Sequence, residues 1–369
     1  MSLELLEGSE AIARAMISAG CRFFAGYPMT PFTEVLEGMA EHLPDVGGVC
    51  VNAESELEAV GMAWGAAAGG VRAATGSVGQ GLSLMQESIA ELCFARVPMV
   101  VLNMARGQGD YYQATRGGGH GDYRTIVLAP ADLTEAVELV QLAFHLADKF
   151  RNPVMFMGDY YLAHVVEAVD TGPRLFPPLG PKDWALDGST SGTGKARIVS
   201  PIMPTKRDAE VFIEYGDYLE GMSGRMAELV AGVDPLYEQG GCEDAEYVVV
   251  AYGTPGRIVR YVVEKMRRDG VKVGFFRPVT LYPFPAEALV AATRSARAVG
   301  VYELNAGQMI DDVRLSLSDR PITFIGGISF DDSGFGIAPE LTPAKVEQRI
   351  IKAMAQARAE MAASAEMAV

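Results

Sequence analysis

The chain has 369 residues, 49% hydrophobic and 21% charged, and its 41 glycines follow no period, which fits a globular protein of two domains. A formal charge of −16, with no lysine or arginine cluster to reverse it locally, argues against nucleic acid as a partner. No apolar run reaches the ~20 residues of a membrane span, and the first eight residues lack a basic-then-apolar leader, so a cytoplasmic chain without membrane contact is expected.

Ser9 is expected to cap a first helix, whose apolar residues Ile12, Ala15, Met16 and Ala19 recur at helical spacing and which Gly20 ends. A strand over residues 21–25 then runs into Gly26-Tyr27-Pro28-Met29-Thr30-Pro31, and a helix is predicted over about 32–42. Thr30 reads as its N-cap and Pro31 as its first residue, since proline has no N–H to leave unpaired. A helix N-terminus at the end of a strand suits a carboxylate or phosphate, although the same cap-then-proline pair also opens helices that bind nothing. A strand over 48–52 and a helix over 54–70 follow, the helix carrying small residues at Gly61, Gly65, Ala66 and Gly69. Next come a strand over 71–75, a glycine-rich turn over 76–81, a helix over 83–95 and a strand over 98–103.

Residues 104–124 form a polar, glycine-rich loop of the kind that carries function. A strand over 126–128, a helix over 132–150 and a strand over 154–157 complete the series, which implies a parallel sheet with ligands at the carboxyl ends of its strands. A second β/α series begins at Tyr247 and ends in a helix opened by Thr342-Pro343. The expected architecture is α/β, with two doubly wound, mostly parallel sheets in domains 1–165 and 245–369 and a linker over 166–244. Gly192-Thr193-Gly194-Lys195 is not a phosphate loop, because Ser189 stands where its first glycine belongs and Ala196 where Ser or Thr would hold magnesium. Cys21, Cys50, Cys93 and Cys242 are far apart with no C-x-x-C pair. They read as reduced thiols rather than metal ligands, and any iron–sulfur cluster belongs to another chain.

Several stretches together resemble the α subunit of the 2-oxoacid:ferredoxin oxidoreductases. They are residues 26–31, Glu54-Ser55-Glu56, Ser83-Leu84-Met85-Gln86-Glu87, residues 114–123, Phe276-Arg277-Pro278 and residues 303–308. Residues 114–130 and 147–154 are most similar to the 2-oxoisovalerate branch. The resemblance implies a pyrimidine-binding domain followed by a transketolase C-terminal-like domain, with thiamine diphosphate shared with a β subunit that holds the diphosphate and its magnesium. It also implies γ and iron–sulfur δ subunits, coenzyme A, and ferredoxin or another acceptor, for oxidative decarboxylation of a 2-oxoacid to acyl-CoA. No Gly-Asp-Gly followed some thirty residues later by Asn is present, which agrees with a chain that makes half of an active site.

By the same resemblance, Glu56 is the carboxylate that bonds the cofactor's pyrimidine N1′, with Glu54 as the rival. Tyr27, Pro28, Gly79 and Gln86 belong to the cofactor site, and Thr30 and Arg106 hold the substrate carboxylate. His120, beside Asp122, either orders the loop or takes part in acid–base chemistry. Two departures bear on the substrate pocket: only Gly107-Gln108-Gly109 remains where the family has a longer Gly-Pro-Ser/Gly segment, and Val78-Gly79-Gln80 replaces Ser/Gly-Pro-Gly. Both suggest a more open pocket for a branched or aromatic 2-oxoacid. The alternatives are a non-catalytic assembly or regulatory subunit and, more weakly, a dinucleotide-binding dehydrogenase, for which the Gly-x-Gly-x-x-Gly after a first strand is missing.

Overall fold

The structure, a computed structural model, describes residues 3–186, 215–328 and 341–367; Gly192-Thr193-Gly194-Lys195 lies outside them. Strand β1 (Glu4–Glu7) passes directly into α1 (Gly8–Ser18). Ser9 is not the cap: its hydroxyl donates to Ala163 O at 3.2 Å, and Glu7 holds the N-cap position without a side-chain bond. The helix starts early because Gly8 lies against the Leu162 carbonyl, where a Cβ would overlap the oxygen, and its N–H donates to Val165 O at 2.9 Å.

The elements that build the first sheet follow. They are β2 (Phe23–Gly26), α2 (Thr33–His42), β3 (Val49–Asn52), α3 (Glu56–Ala68), β4 (Ala73–Ser77), α4 (Gln80–Ala95), β5 (Val100–Ala105), the short α5 (Tyr111–Thr115), β6 (Ile126–Leu128), α6 (Leu133–Phe150) and β7 (Val154–Asp159). Asp132 caps α6 by accepting from Glu135 N at 2.9 Å. Every residue of β4, β5 and β6 is buried, as befits parallel strands covered on both faces. Helices α1, α2 and α6 share an apolar cluster on one face of the sheet, and α3 and α4 a second on the other.

After α7 (Tyr160–His164), residues 166–244, expected as a linker, begin with β8 (Val166–Val169), which pairs antiparallel with β1. Helix α8 (Tyr215–Gly232) packs on the end of α6, where Arg225 Nη2 donates to Phe150 O at 3.0 Å and Asn152 Oδ1 at 3.1 Å. Strand β9 (Tyr237–Gly240) opens the second sheet, followed by β10 (Tyr247–Val250), α9 (Gly253–Arg268), β11 (Val273–Pro278), β12 (Thr280–Tyr282), α10 (Ala286–Ala292), β13 (Ala298–Glu303), α11 (Met309–Ser316), β14 (Ile322–Gly326) and α12 (Pro343–Met367). The second sheet has the order β14-β13-β10-β11-β9, parallel except for β9. The first has the order β12-β6-β7-β5-β4-β2-β3, parallel except for β12, which pairs with β6. One strand of the first sheet thus comes from within the second β/α series. Among the described residues no helix is long and apolar enough to cross a membrane.

The sheets share one continuous apolar cluster, which runs from α3 and α4 through Tyr111 and Tyr123 to β10, β13 and α11. Arg277, at the end of β11, ties them electrostatically. Its guanidinium grips Glu135 of α6 bidentately at 2.9 and 3.0 Å and donates through Nε to Glu238 of β9 at 2.9 Å. Removing the cation strips Glu135 of its ion-pair partner, while Glu238 keeps Arg260, whose Nη1 donates to its Oε1 at 2.6 Å; the loss is about 3 kcal/mol, the low end for a buried pair, because one carboxylate stays paired and both keep some solvent. Arg277→Leu therefore unfolds at lower urea concentration by about that margin; an unchanged midpoint would show that the network adds no net stability.

Candidate active site

The first sheet reverses its winding at β2, with β3 to one side and β4 to the other, so a crevice opens outside the carboxyl ends of β2 and β4. Gly26 and Gly76 stand side by side at those ends, and the buried Phe32 ring leans on both. A Cβ would come within 2.8 Å of the ring from Gly26 and 2.6 Å from Gly76, so neither position admits a side chain without moving it.

The turn above them departs from the sequence reading. Helix α2 starts at Thr33, with Phe32 at its N-cap, so Thr30 does not cap it and Pro31, after a cis bond, is not its first residue. The N–H groups of Phe32 and Thr33 donate to Met29 O at 2.6 and 3.2 Å. Donors expected to face a ligand are spent inside the turn.

At the start of α3, Ser55 Oγ accepts from Leu57 N at 3.2 Å and donates to Glu58 Oε2, a cap that fixes where the helix begins and so which residues turn inward. Glu54 stays exposed outside the helix, whereas Glu56, its first residue, is 3% exposed. The two rivals thus differ in burial. Ser77, the last residue of β4, donates to Glu56 Oε1 at 2.9 Å, and Met29 Sδ lies 4.0 Å from the same hydroxyl. Gly81, in the first turn of α4, lies so close that a Cβ would overlap Glu56 Oε1 and Ser77 Oγ together. Among the described residues no hydrogen bond is made to Glu56 Oε2. Gly79 has a φ of +43° and open space where a Cβ would stand, and Tyr27 and Pro28 are exposed.

Arg106 follows β5 and donates through Nε to Thr30 O at 3.0 Å, so these two expected substrate residues do meet, through the backbone of Thr30 rather than its hydroxyl. Gln86 is engaged elsewhere. Its Oε1 accepts from Gly118 N at 2.8 Å and from Tyr123 OH at 3.3 Å, and it is 5% exposed, so it organises the glycine-rich loop and makes no hydrogen bond to Glu56 among the described residues. His120 ties the same loop to α4 through its backbone N–H, which donates to Glu87 Oε2 at 2.8 Å, while its ring is exposed.

Burial pushes the Cys21 and Cys93 thiols up to about 12 and Cys50 up to about 11, and it raises Cys242 as well. The thiolate is the reactive form, so these cysteines are inert at pH 8. A disulfide reagent at that pH is expected to titrate them only after unfolding; rapid release of one equivalent from the native chain would contradict this.

Two family models match the chain. One, described as pyruvate flavodoxin/ferredoxin oxidoreductase, thiamine diphosphate-binding, covers residues 14–179, and the other, pyruvate:ferredoxin oxidoreductase core domain II, covers 245–333. The ketoisovalerate oxidoreductase subunit VorB of Methanothermobacter marburgensis is 36% identical over 338 residues, 88% of this chain and 93% of that one. The chain belongs to the 2-oxoacid:ferredoxin oxidoreductase family. The 2-oxoglutarate synthase subunit KorA of Methanocaldococcus jannaschii is 35% identical over 339 residues, 85% of this chain and 91% of that one. The solved 2-oxoglutarate:ferredoxin oxidoreductase from Magnetococcus marinus, with 2-oxoglutarate, coenzyme A and succinyl-CoA bound, superposes with a TM-score of 0.79 at 25% identity. The chain spans 65% of that structure's length, and 95% of this chain is covered.

The residues present fit the family's cofactor. A carboxylate 3% exposed, with Oε1 held by Ser77 and Oε2 left to accept from a ligand, lies beside a glycine that no side chain could replace without displacing it. Ser77 is absent from the residues singled out by sequence. Its only local signal is a hydroxyl closing a buried strand before a turn, and its role depends on Glu56, twenty-one positions earlier.

Proposed function

We propose that this chain is the α subunit of a thiamine-diphosphate-dependent 2-oxoacid oxidoreductase, which decarboxylates a branched-chain or aromatic 2-oxoacid and passes the acyl group to coenzyme A. The observation that carries the reading is the buried Glu56–Ser77 pair at the winding reversal. Thiamine diphosphate, when bound, supplies the electron sink for loss of carbon dioxide. Glu56 would bond its pyrimidine N1′ through the free Oε2, and Ser77 would fix the carboxyl by holding Oε1. Tyr27, Pro28 and Gly79 would border the ring, and Gln86 would act at one remove by ordering residues 117–119. Arg106, backed by the Thr30 carbonyl, would present its guanidinium to the substrate carboxylate, a partner its planar fork suits.

The site needs a second chain for the diphosphate and magnesium, the role of a β subunit. Helix α3 offers a surface for it: Leu57 and Met62 are exposed, and Gly61 and Gly65 leave room for close approach of another backbone. Partner subunits, a γ and an iron–sulfur δ subunit among them, would supply the clusters that pass electrons to ferredoxin or another acceptor. The shortened segment after Arg106 and the open space at Gly79 favour a bulky 2-oxoacid.

The test is CoA-dependent reduction of a low-potential dye by the complex co-purified through this chain, across small, branched and aromatic 2-oxoacids. Turnover with one class supports the reading. A complex that retains thiamine diphosphate but turns over none of them overturns it in favour of an assembly or regulatory subunit.

A further inference from the structure

The segment that carries Arg106 is anchored on the second sheet, and one residue does most of the anchoring. Gln108 is 4% exposed, and each of its hydrogen-bonding groups is engaged. Its backbone N–H donates to Leu304 O at 3.1 Å, while its Oε1 accepts from Leu304 N at 2.8 Å, so backbone and side chain together make the paired bonds of a sheet residue. Its Nε2 donates to Tyr252 O at 3.1 Å, and its carbonyl accepts from Asn305 Nδ2 at 2.8 Å. Asn305 is itself held: its Nδ2 donates also to Glu303 Oε2 at 2.9 Å, and its Oδ1 accepts from Gly307 N at 2.8 Å. Glu303, 0% exposed, accepts from the N–H groups of Gln308, Met309 and Ile310 and so caps α11. Gln108 is thus docked on a rigid strand end and helix start, two residues from Arg106.

We infer that Gln108 is a positioning residue for the substrate, fixing Arg106 over the Thr30 carbonyl from the second sheet. The inference rests on the reading that Arg106 holds the 2-oxoacid carboxylate. Shortening the segment makes the effect stronger, because a single residue separates Gln108 from Arg106 and no slack absorbs a displaced anchor.

The experiment uses the co-purified complex and the 2-oxoacid it turns over fastest. Gln108→Met keeps the volume and removes the side-chain bonds; Gln108→Asn keeps the neutral amide on an arm one methylene shorter and so weakens both side-chain bonds; Arg106→Lys is the reference. The expected result for Gln108→Met is a KM for the 2-oxoacid raised at least tenfold, with the KM for coenzyme A and the bound thiamine diphosphate unchanged. Gln108→Asn gives a smaller rise and stands in if the Met variant does not assemble. Combined with Arg106→Lys, either substitution adds nothing to the lysine variant's own KM. Faster amide hydrogen exchange over residues 106–112 in the Gln108 variants is the readout independent of turnover. If Arg106→Lys leaves KM unchanged, the substrate role of Arg106 fails and this inference with it. If Arg106→Lys raises KM but the Gln108 variants do not, or their effects multiply with it, the inference alone is overturned.

Discussion

Glu56→Gln is expected to leave the fold in place and to lower turnover about 10²–10⁴-fold, the range for loss of a positioned proton-transfer group. The carboxamide has the carboxylate's shape, and its oxygen still accepts the Ser77 hydroxyl now 2.9 Å from Oε1, so the start of α3 and the end of β4 keep their contact. What changes is the other position. With its oxygen on Ser77, the amide presents Nε2 where Oε2 stood, a donor that cannot take up a proton and return it. Dye-reduction rates on the complex, alongside circular dichroism and the content of bound cofactor, separate these effects. A variant that keeps more than about a tenth of the wild-type rate would remove Glu56 from the chemistry.

The second large effect comes from a single methyl group. Gly81→Ala is favoured by helix propensity by up to about 1 kcal/mol, yet it is expected to destabilise the chain and to cost about as much activity as Glu56→Gln. Its Cβ would overlap Glu56 Oε1 and Ser77 Oγ, and both residues are buried at 3% and 0% exposure with little freedom to yield. Overpacking of this kind costs about 1–3 kcal/mol, so the steric term outweighs the propensity gain. The cheapest relief is rotation of the carboxylate away from Ser77. The double variant Gly81→Ala, Glu56→Gln should then be no slower than the worse single variant, because both act on one oxygen pair. Fully multiplicative losses would show that Gly81 acts independently of Glu56.

The β/α alternation was legible because parallel strands buried on both faces, such as Val100–Ala105, leave short apolar runs between glycine-rich turns. The edges of the reading failed where long-range contacts decide. Thr30 carried every local mark of a cap, but the Met29 carbonyl takes the N–H groups that a cap would have served. Ser9 looked like a cap until α7 supplied a carbonyl 154 positions away. Strands β8 and β12, four and three residues long, pair with segments far off in sequence, and β12 between Pro278 and Pro283 reads locally as a turn. In the site, only the resemblance set Glu56 above Glu54, through the small residues Gly61 and Gly65 that follow it; locally both are acidic residues at the start of one helix. Ser77 and Gln108 had no local signature, since the atoms that give them meaning arrive only when the sheets close.

Strand β12 has a consequence for how this protein is made. The sheet that carries Glu56 reaches its full width only when Thr280–Tyr282 lies beside Ile126–Leu128, more than 150 residues after β6 has left the ribosome. Until then the all-apolar β6 is an open edge with unpaired backbone groups, a template for pairing with another nascent chain. Synthesis therefore passes through an interval in which the site's sheet is built but not sealed. A gene cut between the two β/α series would yield a first fragment held permanently in that interval, and such a fragment should depend on a chaperone or on its missing half supplied in trans.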